Sequence, residues 1–216
     1  MSNDSPPATP LVIASGNAGK VREFAALLAG LGLEIRPQPE GLEVEETGLT
    51  FVENARLKAI AVARASGCWA LADDSGLAVD ALAGAPGVHS ARYAASDPER
   101  IARLLAELAA ANGQRAAAGL AAQRSARFTA ALALADPSGN LRLEVEGHCP
   151  GEILETPRGS GGFGYDPVFL VPETGLSFAE MDKATKARLG HRGRAFALLE
   201  PGLRALLDPN NNKDNC

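Results

Sequence analysis

Only three cysteines occur in the 216 residues, Cys68, Cys149 and Cys216, widely spaced and with no C-x-x-C pair among them. An odd number without ligand spacing argues against a disulfide framework and a zinc site, and points to a reducing compartment. Positive charge is not in excess: 21 Lys and Arg stand against 26 Asp and Glu, a formal net charge of -5. The chain therefore lacks a broad basic face for duplex nucleic acid, and any nucleotide has to be gripped locally. No apolar run approaches the roughly 18 residues that span a bilayer, and the opening Met1 to Pro10 is polar and proline-rich without a basic leader. A cytoplasmic protein is expected, with neither membrane nor nucleic acid as partner. The chain also has no H-E-x-x-H, no nucleophile elbow and no C-x-x-C, which disfavours zinc proteases, serine hydrolases and redox enzymes. A Walker A loop would need Gly at 14 and Ser or Thr at 21, where Ala14 and Val21 stand.

What remains is an ordinary globular mixture, 46% hydrophobic and 22% charged, long enough for one sizeable core or two small lobes. Leu11 to Ser15 reads as a strand, Gly16 to Lys20 as a glycine loop, and Val21, Phe24, Leu28 and Leu31 as a helical stripe. A second strand is expected at 33–36. Thr50-Phe51-Val52-Glu53 has the form of a capping box and opens an alanine-rich helix to Ser66, stopped at Gly67. A short strand, Trp69 to Ala72, leads into Asp73-Asp74-Ser75-Gly76. Asp97-Pro98 reads as N-cap and first helical residue of a helix closing at Gly113, and 114–125 reads equally as more helix or as loop. A hairpin is expected from 128–135 and the alternating Leu141, Leu143 and Val145, then a strand from Tyr165 to Val171. Ser177-Phe178-Ala179-Glu180 predicts a second capping box and a helix to Leu189; a last helix starts near Gly193 and breaks at Pro201. The fold class is α/β, with an antiparallel piece joined to parallel units, in a single domain over 10–206 with flexible tails at 1–9 and 209–216.

Four segments carry candidate chemistry. Asp73 and Asp74 are adjacent carboxylates at what reads as a strand end, where α/β sheets gather ligands. Burying them requires a compensating cation, while the plain alternative is an Asx-turn. Ser15-Gly16-Asn17-Ala18-Gly19-Lys20 suits a phosphate through backbone N–H groups, a helix start and one ammonium, or else is simply a tight turn with Lys20 in solvent. Glu45-Glu46 adds carboxylate, and Glu45 with Asp74 meets the demand of a Mg²⁺–nucleotide site for one or two protein carboxylates. Lys183, Lys186, Arg188, His191, Arg192 and Arg194 crowd a helix junction, where they either oppose a helix dipole or offer donors to a base or phosphate. His89 and His148 have no ligand-spaced partner.

Five segments, in order, resemble one family: S-G-N-A-G-K (15–20); E-E-T-G-L-T-F-V-E-N-A (45–55); A-D-D-S-G-L-A-V-D-A-L (72–82) with A-P-G-V-H-S-A-R-Y (85–93); G-G-F-G-Y-D-P-V-F (161–169); and S-F-A-E followed by K-x-x-x-x-H-R (177–192). The chain resembles the inosine triphosphate pyrophosphatase family over roughly residues 10 to 206. The resemblance implies hydrolysis of deaminated purine nucleoside triphosphates, dITP/ITP and XTP/dXTP, to monophosphate and pyrophosphate. It implies a long mixed β-sheet flanked by helices, two lobes framing a nucleotide-binding cleft, Mg²⁺ as cofactor and a homodimer. By position, the substrate loop falls on Ser15, Gly16, Asn17, Ala18, Gly19 and Lys20, the metal glutamate on Glu45, and the metal-binding, water-activating aspartate on Asp74 beside Asp73. Ser75 and Lys58 match substrate contacts, Phe163, Gly164, Tyr165 and Asp166 the base-proximal segment, and Lys186, His191 and Arg192 the distal basic contacts. Phe163 either stacks on the base or packs beneath the glycine loop. The chain departs from the family at Gly190, where Ser is common, at Ala83, where glycine is, and at His89, where an aromatic is. A non-catalytic nucleotide sensor and a different Mg²⁺-dependent triphosphatase are the rival readings.

Overall fold

The computed structural model describes residues 8–207; of the tails expected at 1–9 and 209–216, residues 1–7 and 209–216 lie outside the described residues, and Thr9 belongs to the first strand instead of a tail. The first strand, β1 (Thr9–Ala14), takes in Thr9 and leads through the glycine loop to α1 (Ala18–Leu27). Then follow β2 (Leu33–Pro37), α2 (Phe51–Ser66), β3 (Trp69–Val79), α3 (Asp97–Ala117), β4 (Ser125–Ala135) and β5 (Leu141–Ile153). The chain closes with β6 (Phe169–Val171), β7 (Leu176–Ser177), α4 (Lys183–Leu189) and α5 (His191–Leu207). Among the described residues, seven strands form one mixed sheet in the order β2-β1-β3-β4-β5-β6-β7. β1 is parallel to β2 and β3, whereas β6 is antiparallel to β5 and β7.

Two compact units share these elements: among the described residues one takes 8–74, Ala131–Glu146 and 195–207, the other Ser75–Ala130 and Gly147–Arg194. Each has its own core. In the first, Ala55, Ala59 and Ala63 of α2 pack with Ala14, Ala70, Ala72, Ala131, Ala133 and Ala135 of the strands. Such small side chains let helix and sheet approach closely, and so bring the polar residues of α2 within reach of β3. In the second, Phe128, Phe169 and Phe178 form an aromatic nucleus with Leu77, Leu104, Leu108 and Ile153.

Local signals hold where local bonds suffice. The Thr50 hydroxyl accepts the Glu53 N–H at 3.2 Å, the Glu53 carboxylate accepts the Thr50 N–H at 3.1 Å, and Gly67 stops α2 at a φ of 64°. Elsewhere the structure corrects the sequence reading. β3 does not end at Ala72 but runs on through Asp73, Asp74 and Ser75 to Val79. Ser96, not Asp97, caps α3, which continues past Gly113 to Ala117. Tyr165 to Val168 is not strand: Asp166–Val168 is a 3₁₀ turn before β6. Ser177 and Glu180 do exchange the bonds of a capping box, at 2.8 and 3.2 Å, but close a turn after β7; Asp182 caps α4. α5 starts at His191 and passes through Pro201, because burial of Phe196, Leu199, Leu203 and Leu207 outweighs one lost backbone bond. Ala83, where the resemblance expects glycine, holds a left-handed φ of 51°.

Cysteine usage gives a direct check. Cys149 is buried on β5, and burial pushes its thiol up to about 11, whereas Cys68 is partly exposed. A thiol reacts as the thiolate, so a raised value keeps Cys149 protonated and inert until the pH approaches that value. In a Cys216→Ser background, a thiol reagent at pH 8 is expected to label Cys68 in the native protein and Cys149 only after denaturation. Equal native labelling of both would contradict this packing.

Candidate active site

In the first unit, Asp73 and Asp74 are neighbours on a strand, so alternation turns them to opposite sides. Each meets a different helix. Lys20, two residues inside α1, reaches Asp73 Oδ2 at 2.8 Å, with only 1% of the Asp73 side chain exposed. Lys58, in the second turn of α2, places Nζ 2.9 Å from Asp74 Oδ1 and 2.8 Å from Glu46 Oε1. These ion pairs explain why β3 passes through two acids: each buried charge has a cation within hydrogen-bonding distance, so the strand need not open into a turn. Lys20 is therefore not in solvent.

The titration of this cluster follows from burial and charge. Burial pushes Asp74 above the ordinary aspartate value, more than Lys58 and Lys20 pull it down. Burial also disfavours the charged form of Lys58, but Asp74 and Glu46 together outweigh it and hold the ammonium above its usual value. Two carboxylates thus converge on one positive charge. Their donor atoms are all hard oxygens, the set that Mg²⁺ prefers, and Asp74 with a glutamate of the 45–46 pair could hold such an ion. Glu46, which sequence reasoning did not single out, is the glutamate brought to Lys58; Glu45, one residue earlier, is exposed.

At the glycine loop, the Asn17 side chain accepts the N–H groups of Gly19 at 2.8 Å and Lys20 at 3.2 Å, and the Ser15 hydroxyl accepts the Asn17 N–H. The segment is a tight turn, but one with Lys20 paired to Asp73 instead of in solvent; Gly16, Asn17 and Ala18 are exposed, Ser15 is half-buried and Gly19 is buried. Asn17 acts as the helix N-cap.

The second unit carries the other candidates. Asp166 Oδ2 accepts the Phe163 N–H at 2.9 Å and lies 2.6 Å from Lys186 Nζ. A Cβ on Gly162 would stand 1.9 Å from that same oxygen, which is why the loop needs glycine there. Asp97 Oδ2 accepts the Gly164 N–H at 2.7 Å, so the residue read as a cap instead fastens the glycine loop. The Tyr165 hydroxyl donates to the Ser90 carbonyl at 2.9 Å, and burial raises its pKa well above the ordinary tyrosine value. Phe163 is half-buried, with Lys186 Nζ 5.2 Å and Arg192 Cζ 5.4 Å from its ring centre.

The basic cluster divides into separate tasks. His191 is buried with its ring stacked 4.6 Å from Phe128, Arg192 donates to Ser75 Oγ at 2.7 Å, and Arg194 donates to the Leu189 carbonyl that ends α4. Lys183 and Arg188 are exposed. At Gly190 a Cβ would lie 2.6 Å from the Lys186 carbonyl oxygen, so this backbone sits tighter than the serine common in similar chains would allow. Sequence reasoning gave the metal role to Glu45 rather than Glu46 and no site role to Asn54 or Asp97, although Glu46 and Asn54 both lie within the motif at 45–55.

Residues 11–201 match the profile of the Ham1 family. A protein of Synechococcus sp. named dITP/XTP pyrophosphatase is 60% identical over 204 residues, 94% of each chain. One of the same name from Gloeobacter violaceus is 56% identical over 192 residues, 89% of this chain and 93% of that one. Among solved structures, a HAM1 protein from Coxiella burnetii aligns with a TM-score of 0.79 at 42% identity, covering 90% of this chain and 98% of its own. The Staphylococcus aureus Ham1 protein aligns with a TM-score of 0.75 at 36% identity, covering 94% and 100%.

Proposed function

The chain belongs to the Ham1 family, and from that premise we propose that it hydrolyses deaminated purine nucleoside triphosphates, dITP/ITP and XTP/dXTP, to the monophosphate and pyrophosphate. The observation that carries this reading is the Asp74 carboxylate, buried yet tied to Lys58, with Glu46 on the same ammonium. In the reaction, Asp74 takes a proton from the water that attacks the α-phosphorus, and the bond from that phosphorus to the bridging oxygen breaks to release pyrophosphate. Lys20 and Lys58 stabilise the leaving diphosphate electrostatically. Asp74, with Glu46 or Glu45, would hold Mg²⁺, which when bound neutralises charge on the phosphate oxygens. For the purine, Phe163 offers a stacking face, and Arg192 and Lys186 offer donors to a 6-oxygen, where adenine presents an amino donor instead. A cytoplasmic homodimer accompanies this reading, and sedimentation tests the dimer.

The deciding experiment compares pyrophosphate and phosphate release from dITP, ITP and XTP with release from dATP and dGTP, with and without Mg²⁺. Pyrophosphate from the deaminated substrates, dependent on Mg²⁺, supports the proposal. Binding without hydrolysis would make the protein a sensor, and phosphate without pyrophosphate would make it a different triphosphatase.

Stacking on Phe163 has its own test. Because base–aromatic stacking contributes about 1–3 kcal/mol, Phe163→Ala is expected to raise KM for dITP by about tenfold or more while kcat changes little. An unchanged KM with a lowered Tm would leave Phe163 as packing beneath the glycine loop.

A further inference from the structure

We infer that Asn54 is a positioning residue for Asp74, an inference that rests on the hydrolytic reading above. Asn54 lies in the first turn of α2 and is completely buried. Its Oδ1 accepts the Gly48 N–H at 2.8 Å, and its Nδ2 donates to Asp74 Oδ2 at 3.3 Å. The orientation of the amide follows from its neighbours: a backbone N–H can only donate, so the amide oxygen faces Gly48 and the amino group must face the carboxylate.

The contact with Gly48 is itself shaped for this. A Cβ at Gly48 would lie 2.7 Å from Asn54 Oδ1 and 2.6 Å from Glu53 Cβ, so only glycine lets the acidic loop settle on the start of α2. Asn54 and Lys58 are four residues apart and share a helix face. Both bridge the acidic loop to Asp74. Asn54 joins Gly48 to Asp74 Oδ2, and Lys58 joins Glu46 to Asp74 Oδ1. The carboxylate is thereby held through both oxygens, one by a neutral donor and one by an ammonium, and each oxygen keeps a further lone pair for a water or a cation. Packing alone does not call for an amide here, since a leucine of similar volume would fill the space without burying polar atoms. The amide earns its place by connectivity: it fixes the plane of the Asp74 carboxylate and the height of the loop that carries Glu46.

The test uses Asn54→Asp and Asn54→Leu in the full chain, with pyrophosphate release from dITP in Mg²⁺, thermal melting and hydrogen exchange at the Gly48 amide. Asn54→Asp keeps an oxygen for the Gly48 N–H and replaces the donor to Asp74 by a second carboxyl oxygen, so the carboxylate loses its hold on that side and meets a like charge there. Since misplacing a reacting group by about 1 Å costs on the order of 10²-fold, kcat is expected to fall about 30-fold or more, with KM within about threefold and Gly48 exchange close to that of the parent. Asn54→Leu loses both bonds, so Gly48 exchange is expected to accelerate by about tenfold or more as well. A purely structural role predicts instead that Asn54→Asp keeps its kcat while Asn54→Leu loses it together with Tm, and that pattern would overturn the inference. If Asn54→Leu melts below the assay temperature, Asn54→Ser replaces it; serine is too short to reach both partners, and a parent-like kcat there overturns the inference too. A parent protein that releases no pyrophosphate overturns the hydrolytic reading and this one with it, whereas an active parent with indifferent Asn54 variants overturns this one alone.

Discussion

Replacing Asp74 by asparagine is expected to lower kcat for dITP by at least ~10²-fold, because the variant cannot accept a proton and is a poorer ligand for a hard cation. The carboxamide is nearly the size of the carboxylate but keeps a single acceptor oxygen, so it holds either Lys58 or Asn54 and not both, and a thermal melt of the variant separates loss of activity from loss of fold. The pH profile sharpens the test. The working form of Asp74 is the carboxylate, and burial raises its pKa above the ordinary 3.8, so activity is expected to climb with pH through that raised value. Removing Lys58, the strongest influence pulling it down, is expected to move the acid limb of kcat/KM further upward. Asp73→Asn is expected to behave differently. Asp73 holds Lys20, so its loss should appear chiefly in KM as the ammonium loses its anchor. Near-parental kcat in Asp74→Asn would remove Asp74 from the chemistry, and equal kcat losses in the two variants would contradict the division of labour between them.

Gly193→Ala is expected to damage stability and substrate binding together. Gly193 lies in the first turn of α5, directly after His191 and Arg192, and a Cβ there would stand 1.5 Å from the carbonyl oxygen of Ala187 and 2.6 Å from its carbon. The obstacle is backbone, so no rotamer change relieves it, and α4 and α5 must part. Overpacking of this kind costs about 1–3 kcal/mol or more, which for a chain of this length lowers Tm by roughly 2–4 °C per kcal/mol. Because Arg192 meets Ser75 from this turn, KM for dITP is expected to rise as well. Gly113→Ala is the matched control: Gly113 lies inside α3 with nothing near its missing Cβ, and alanine there should gain about 0.5–1 kcal/mol from helix propensity. A Tm that falls for Gly113→Ala and holds for Gly193→Ala would contradict both assignments.

The same two-residue signals succeeded in one place and failed in another. Thr50 and Glu53 announced α2 because the bonds that start a helix are local and the alanine-rich stripe behind them had a sheet to cover. Ser177 and Glu180 form the same reciprocal bonds, yet Ser177 is already paired in β7 and the helix waits for Asp182. Asp73-Asp74 read as a strand end because two adjacent acids are costly to bury. The strand continues only because Lys20 and Lys58, 53 and 16 residues away in sequence from their partners, supply the opposite charge. Pro201 read as a break for a sound local reason, and buried side chains on either side of it overrode that reason.

The candidate site divides along the same line. Asp74, Lys20, Lys58, Ser75, Phe163, Asp166, Lys186 and Arg192 were legible as residues, since their order and spacing follow the family's motifs. Their partners were not. That Lys186 serves Asp166, that His191 stacks on Phe128 while Arg192 reaches Ser75, and that Asn54 stands between Gly48 and Asp74 are facts of packing. The sequence by itself determined the family, the α/β class, the position of most helices and the set of chemical groups, because propensity, capping and motif order act over a few residues. Only the tertiary structure decided which groups meet and which acid each lysine neutralises, because buried charge is stabilised by partners that the chain brings back from a distance and that no local pattern encodes.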